Sequence, residues 1–301
     1  MNKHIYTGIR LTTGILFIAS ALLKLFSIDS FEVYIYSFNL LSLSYAFLFA
    51  RIVIGFELLL GILFLLNIFT KQVAIVTIGM LLSFICFLFY LIFTKNPESC
   101  HCFGSYIEIS HTNSIIKNIL IISLVLVILK YNKPLSFRFN KIVAIFCSLI
   151  SMSIPFLVSP PDTFNLSVYV NKTTYNKEAL QKYLDTKTPS KGRHVLCFFG
   201  TGCRFCKLTS KKITVIAEKA AEKGSSFSIV FWGDEKTIAK FFTETNCRKF
   251  PYEIMDGNQF LRITDGQMPV ILLLENGVVK KKYGYRDLNE DEILYFLKDQ
   301  K

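Results

Sequence analysis

Residues 194–208 read HVLCFFGTGCRFCKL. A short apolar run, His194–Phe199, leads straight into Cys203-Arg204-Phe205-Cys206. Lys207–Lys223 follows, with Leu208, Ile213, Ile216 and Ala220 recurring at helical spacing. The order is strand, cysteine pair, helix. A helix N-terminus offers unbonded N–H groups and the positive end of its dipole, and both stabilise a thiolate on the first cysteine. The second cysteine lies one turn further on, where it can attack a mixed disulfide and release the partner. Cys203 is therefore the expected nucleophile and Cys206 the resolving thiol.

Downstream, Phe227–Trp232 reads as a second strand and the region around Lys236–Thr245 as a helix. Val270–Leu274 and Val278–Tyr283 flank Glu275-Asn276-Gly277, a hairpin signal, and Glu290–Lys298 closes as a helix. A lone C-x-x-C is also compatible with half of a zinc site. In this setting residues 165–301, roughly, resemble the thioredoxin family. Met268-Pro269 matches that family's cis-proline loop, and the resemblance implies that Pro269 lies against the active site and accepts substrate backbone. Two positions depart from the pattern. Gly202 stands where the family often has tryptophan, and Cys197 where it often has a buried acid, so the proton acceptor for Cys206 stays open. Cys197 itself reads as a strand residue facing the core.

The N-terminal half has a different chemistry. Of 301 residues, 52% are hydrophobic and 19% charged, and Phe alone occurs 29 times. Residues 1–159 hold 11 Lys/Arg and 5 Asp/Glu, against 23 and 17 in residues 160–301. This composition excludes a disordered chain, a coiled coil and an ordinary soluble enzyme. Each half carries +6 of the net +12, a spread too even for a nucleic-acid patch. Five stretches suit a membrane span: Tyr6–Phe26, Tyr45–Phe69, Val73–Phe93, Ile115–Tyr131 and Ile142–Val158. The expected organisation is a helical membrane domain, 1–159, followed by an α/β thioredoxin-like domain, 160–301. Ser159-Pro160-Pro161-Asp162 forms a short, stiff connection between them.

Charge sets the expected orientation. With the N-terminus inside, Lys3, Arg10, Lys71, Lys130, Lys133, Arg138 and Lys141 fall on the cytoplasmic side. Lys24, Arg51, Lys95 and Lys117 fall outside, a bias that favours this direction. Five crossings then place the C-terminal domain outside the cytoplasm, on a multi-pass protein of the inner membrane. Lys3, Arg10 and Ala19-Ser20-Ala21 also fit a cleaved signal peptide, which would leave every later crossing unchanged.

The same reasoning puts Cys100-His101-Cys102 on the outer side, in one oxidising compartment with Cys203 and Cys206. A bridge between residues two apart is close to the limit of reach and strained, which suits an exchange site better than a staple. A metal reading competes, because Cys100, His101, Cys102 and His111 are soft or borderline ligands for copper or zinc. Cys86 and Cys147, inside apolar spans, read as small buried hydrophobes, and Cys247 as an inert surface thiol.

Three features make residues 5–131, roughly, resemble the DoxX-like superfamily and its methylamine-utilisation MauE family: Leu22-Leu23-Lys24-Leu25, Phe56-Glu57-Leu58-Leu59-Leu60-Gly61 and Cys100-His101-Cys102-Phe103-Gly104. The resemblance implies disulfide chemistry beside a thioredoxin-like partner, here fused to the same chain. The expected function is a membrane thiol–disulfide oxidoreductase. Cys203 and Cys206 exchange with external protein thiols or disulfides, and Cys100 and Cys102 exchange with Cys203 and Cys206. A membrane quinone takes the electrons, with no metal and no nucleic acid involved. Charges inside a span are costly. Lys24 and Glu57 thus read either as an ion pair between helices or as a quinone or proton site.

Overall fold

The computed structural model describes residues 3–94, 110–131, 139–160, 162, 173–186, 192–220 and 226–298. Cys100 and Cys102 lie outside these residues, as do His101 and, in the proline connection, Pro161. The chain divides into two compact units, Met1–Tyr34 with Phe47–Pro160, and Ile35–Ala46 with Pro161–Lys301.

Five helices in the first part of the chain are long and apolar enough to cross a membrane. They are α1 (Lys3–Phe26), α3 (Leu43–Leu66), α4 (Thr70–Phe93), α5 (His111–Lys130) and α6 (Asn140–Val158). Each overlaps one of the five expected spans, with ends shifted by a few residues: α3 stops at Leu66, short of the expected Phe69, and α5 at Lys130. A short helix, α2 (Ile28–Ser37), was not expected from the sequence, because ten residues are too few to show a clear period. Helices α1 and α3 approach closely where glycines face each other. A Cβ at Gly61 would lie 2.9 Å from the Gly14 carbonyl oxygen, and one at Gly14 would lie 2.9 Å from that of Gly61. Small residues permit such an approach, which gains van der Waals contact where no hydrophobic force between helices exists. Phe17, Leu60, Phe64, Leu81, Val125 and Ile128 fill the space between the helices.

The second unit is an α/β layer structure of thioredoxin type. After α7 (Lys177–Thr186) come β1 (Arg193–Gly200), α8 (Arg204–Ala220), β2 (Ser226–Trp232), α9 (Glu235–Thr245), β3 (Tyr252–Ile254), α10 (Gly257–Thr264), β4 (Val270–Glu275), β5 (Val278–Tyr283) and α11 (Glu290–Lys298). The described strands lie in the order β3-β2-β1-β4-β5. The β1–β2 and β2–β3 pairs are parallel, and β4 and β5 are antiparallel additions. Asn276 and Gly277 both have positive φ (52° and 79°), as a two-residue hairpin with the right twist requires.

Alternation along β1 divides its side chains between two cores. Leu196 and Phe198 pack with Tyr183, Val230 and Phe260 on one face. Phe199 meets Phe231 and Phe241 on the other. In this same unit Glu290 accepts the Leu43 N–H at 2.7 Å and pairs with Lys219.

Candidate functional site

Cys203 is the residue immediately before α8, and Cys206 sits in that helix's first turn. The helix begins at Arg204 rather than at Lys207 as the apolar spacing suggested, so the cysteine pair is continuous with it. The loop is tied by the Cys203 N–H, which donates to the Gly200 carbonyl at 3.1 Å. Cys203 Sγ in turn accepts the Cys206 N–H at 3.2 Å, a role close to that of a capping oxygen. Both cysteines are free thiols in this structure.

Their environments differ sharply. Cys203 is partly exposed, whereas Cys206 is fully buried. A hydrogen bond with the Cys206 thiol, above all, pulls the Cys203 thiol down to about 7. The backbone N–H groups of Cys206 and Phe205 and the nearby charge of Lys207 act in the same direction, against the effect of burial. Burial above all, then the bond and charge of Cys203, drives Cys206 far upward. Near neutral pH one thiol is thus substantially ionised and the other is not, although both are cysteines on one helical turn.

The Met268–Pro269 peptide is cis, and Pro269 directly precedes β4, whose Val270 pairs with Phe198. The Met268 carbonyl lies 4.0 Å from Cys203 Sγ. Met268 also fills the space left by Gly200, where a Cβ would sit 2.7 Å from the Met268 sulfur and 3.6 Å from Cys203 Cβ. Pro269 therefore belongs beside the cysteine pair. The Cys197 side chain is 1% exposed and burial pushes its thiol upward, in keeping with a core-facing residue. It supplies no anionic proton acceptor. Cys247, expected at the surface, is instead buried, and its sulfur accepts the Thr245 hydroxyl at 3.0 Å. Cys86 lies on the outer surface of α4, not between helices.

In the membrane unit, Lys24 Nζ donates to both oxygens of Glu57, at 2.8 and 2.7 Å, and to Ser20 Oγ at 2.9 Å. The Ser20 hydroxyl completes the cluster by donating to Glu57 at 3.2 Å. Lys24 is 4% exposed. Lys117 of α5 is close enough for its charge to act on both Lys24 and Glu57. Arg51 does not join this group. It pairs with Glu32 of α2 and donates to the Phe47 and Ser159 carbonyls at 2.7 Å each. Ser20, four residues before Lys24, was findable from helical spacing. Glu32 was not, because nothing local in the sequence links it to Arg51.

A polarised dithiol at the start of a thioredoxin-type helix, on a chain with five spans, defines a multi-pass membrane protein of the thiol–disulfide class. Residues 2–131 match the family described as methylamine utilisation protein MauE, in agreement with the resemblance carried by Lys24, Glu57 and Cys100–Cys102. Protein TlpB of Flavobacterium psychrophilum is 30% identical over an alignment of 341 residues, covering 94% of this chain and 92% of that one. The chain belongs to the TlpB family.

Two solved structures are similar at lower coverage. A Chlorobium tepidum chain described as a thiol:disulfide interchange protein DsbE is 21% identical, with a TM-score of 0.32 over 38% of this chain and 84% of that one. A secreted Mycobacterium tuberculosis disulfide oxidoreductase, described as homologous to E. coli DsbE, is 16% identical, with a TM-score of 0.31 over 41% and 98%.

Proposed function

We propose that this protein is a membrane-bound thiol–disulfide oxidoreductase whose Cys203/Cys206 pair works on exported proteins outside the cytoplasm. The observation that carries the reading is the unequal pair, a stabilised and accessible Cys203 backed by a buried Cys206 that donates its N–H to it. In the oxidising direction a client thiolate attacks Cys203 of the disulfide, and Cys206 leaves as a thiol. A second client thiolate then attacks the client sulfur of the mixed disulfide and releases Cys203. Two electrons and two protons pass from client to protein. The reduced pair is reoxidised by exchange with a Cys100–Cys102 disulfide, and the electrons then leave to a membrane quinone. The engaged Lys24 offers a quinone carbonyl a donor only by exchange of its bond to Ser20 or Glu57, so no step here is routed through that cluster. The reading that the C-terminal domain faces away from the cytoplasm is supported by the clustered Lys130, Lys133, Arg138 and Lys141.

The test is trapping. A Cys206→Ser variant is expected to accumulate client adducts through Cys203, resolved by reductant on gels. Adducts that persist when Cys203 is also replaced by Ser would rule out Cys203 as the nucleophile. In a Cys100→Ala, Cys102→Ala variant the reduced Cys203/Cys206 pair is expected to accumulate in cells. Accumulation of the oxidised pair would reverse the direction, and no change would refute the coupling.

A further inference from the structure

Seven residues separate Phe205 from Lys212 on α8, two turns, so the two side chains lie on one face of the helix. Tyr285, in the segment after β5, bridges them. Its ring packs on that of Phe205 with centroids 4.8 Å apart. Lys212 Nζ stands 3.8 Å from the centroid of the same ring and donates to the Tyr285 carbonyl at 3.1 Å. Lys212 is fully buried, among the largest such side chains in the protein. A buried ammonium is costly unless acceptors surround it, and a ring face and a carbonyl together provide them. A methionine would fill this volume without that cost. The cation therefore fixes Tyr285 in a way that packing alone does not.

We propose that Lys212 is a positioning residue for the thiol–disulfide site, acting through Tyr285 and Phe205 on the first turn of α8. This rests on the reading of Cys203 as nucleophile. Phe205 is where the stack meets the chemistry, because it directly precedes Cys206, whose backbone N–H donates to Cys203 Sγ at 3.2 Å, so holding Phe205 holds that donor in line. Hydrogen bonds to an ionised acceptor are among the strongest in proteins and depend steeply on alignment. The first turn of a helix has few backbone bonds of its own to hold it. The stack supplies the missing restraint, clamping Phe205 from outside the helix while Lys212, deeper along the same face, anchors the clamp.

The experiment uses the full chain in detergent, reduced, with alkylation of the Cys203 peptide by iodoacetamide followed by mass spectrometry across pH. In Lys212→Met the midpoint of Cys203 reactivity is expected to rise by roughly one unit, about tenfold less thiolate below the midpoint. The dithiol–disulfide equilibrium against glutathione is expected to move about tenfold toward the disulfide. Lys212→Arg, which keeps the cation, is expected to restore both to within about twofold. Phe205→Ala, at a half-buried surface site, tests the same link should Lys212→Met fold poorly, and is expected to raise the midpoint likewise. A lowered melting temperature with wild-type midpoints in both variants would make the stack structural only and overturn the inference. A wild-type Cys203 that titrates like an ordinary thiol would instead overturn the nucleophile reading beneath it.

Discussion

In the membrane unit, Lys24 and Glu57 answer each other, while in the thioredoxin unit Cys203 and Cys206 are pushed apart. The first pair is closed. All three ammonium hydrogens have an acceptor in Ser20 or Glu57, and the carboxylate is doubly held. The second pair is open, since one sulfur is partly exposed and accepts the Cys206 N–H, while the other is fully buried with the Gly200 N–H at 3.4 Å as a weak donor. Closure suits a role between helices, where an unpaired charge costs several kcal/mol. Openness suits exchange, because two titrating groups with divergent affinities can take opposite roles in one reaction. The difference between the units is whether the surroundings equalise a pair or divide it.

The largest expected effect comes from breaking the closed pair. Lys24→Met leaves the mostly buried Glu57 with the Ser20 hydroxyl but no cation on its carboxylate and is expected to cost about 3–5 kcal/mol, read by equilibrium unfolding in mild detergent. Lys24→Met with Glu57→Met is expected to recover most of that loss, because no charge is then stranded. A double variant as unstable as the single one would show that the pair does more than neutralise itself.

A smaller effect sharpens the open pair. At pH 6, Cys203 is expected to alkylate about 30-fold faster than a thiol of ordinary acidity near 8.5, with its midpoint at about 7. The depressed affinity also links stability to pH. Since Cys203 binds its proton less tightly folded than unfolded, the reduced protein gains stability that is fully present above about 8.5 and lost as pH falls through about 7. A Cys203 midpoint at or above 8.5 would remove the contrast between the units.

The smallest effect concerns Lys207, whose positive charge favours the Cys203 thiolate and which pairs with Glu244 at 2.6 Å near the surface. Lys207→Gln is expected to raise the Cys203 midpoint by a fraction of a unit, and Glu244→Gln to lower it by less, both fading in 1 M salt. Shifts that persist in salt would point to a change in the α8 turn instead of a charge effect.

Much of the fold was legible in the sequence because it rests on local rules. Span length and apolarity located α1, α3, α4, α5 and α6, and Asn276-Gly277 marked the hairpin through its demand for positive φ. The apolar period placed α8 but began it three residues late, because Arg204, Phe205 and Cys206 carry no apolar rhythm and the turn is tied by Gly200 and by the Cys203 sulfur. Strand β3 has three residues and α10 eight, too short for either period to show.

By itself, the sequence determined that a strand, a C-x-x-C and a helix follow one another, and that Lys24 and Glu57 sit in apolar spans. Local geometry and the cost of charge in lipid suffice for both. Only the tertiary structure decided which carboxylate meets which cation, pairing Arg51 with Glu32 and Lys24 with Glu57. It also decided that Cys247 is buried, and that two identical thiols three residues apart have opposite acidities. Ionisation depends on what surrounds a group within a few ångströms, and those neighbours come from Phe205, Gly200, Met268 and Lys207 only once the chain has folded.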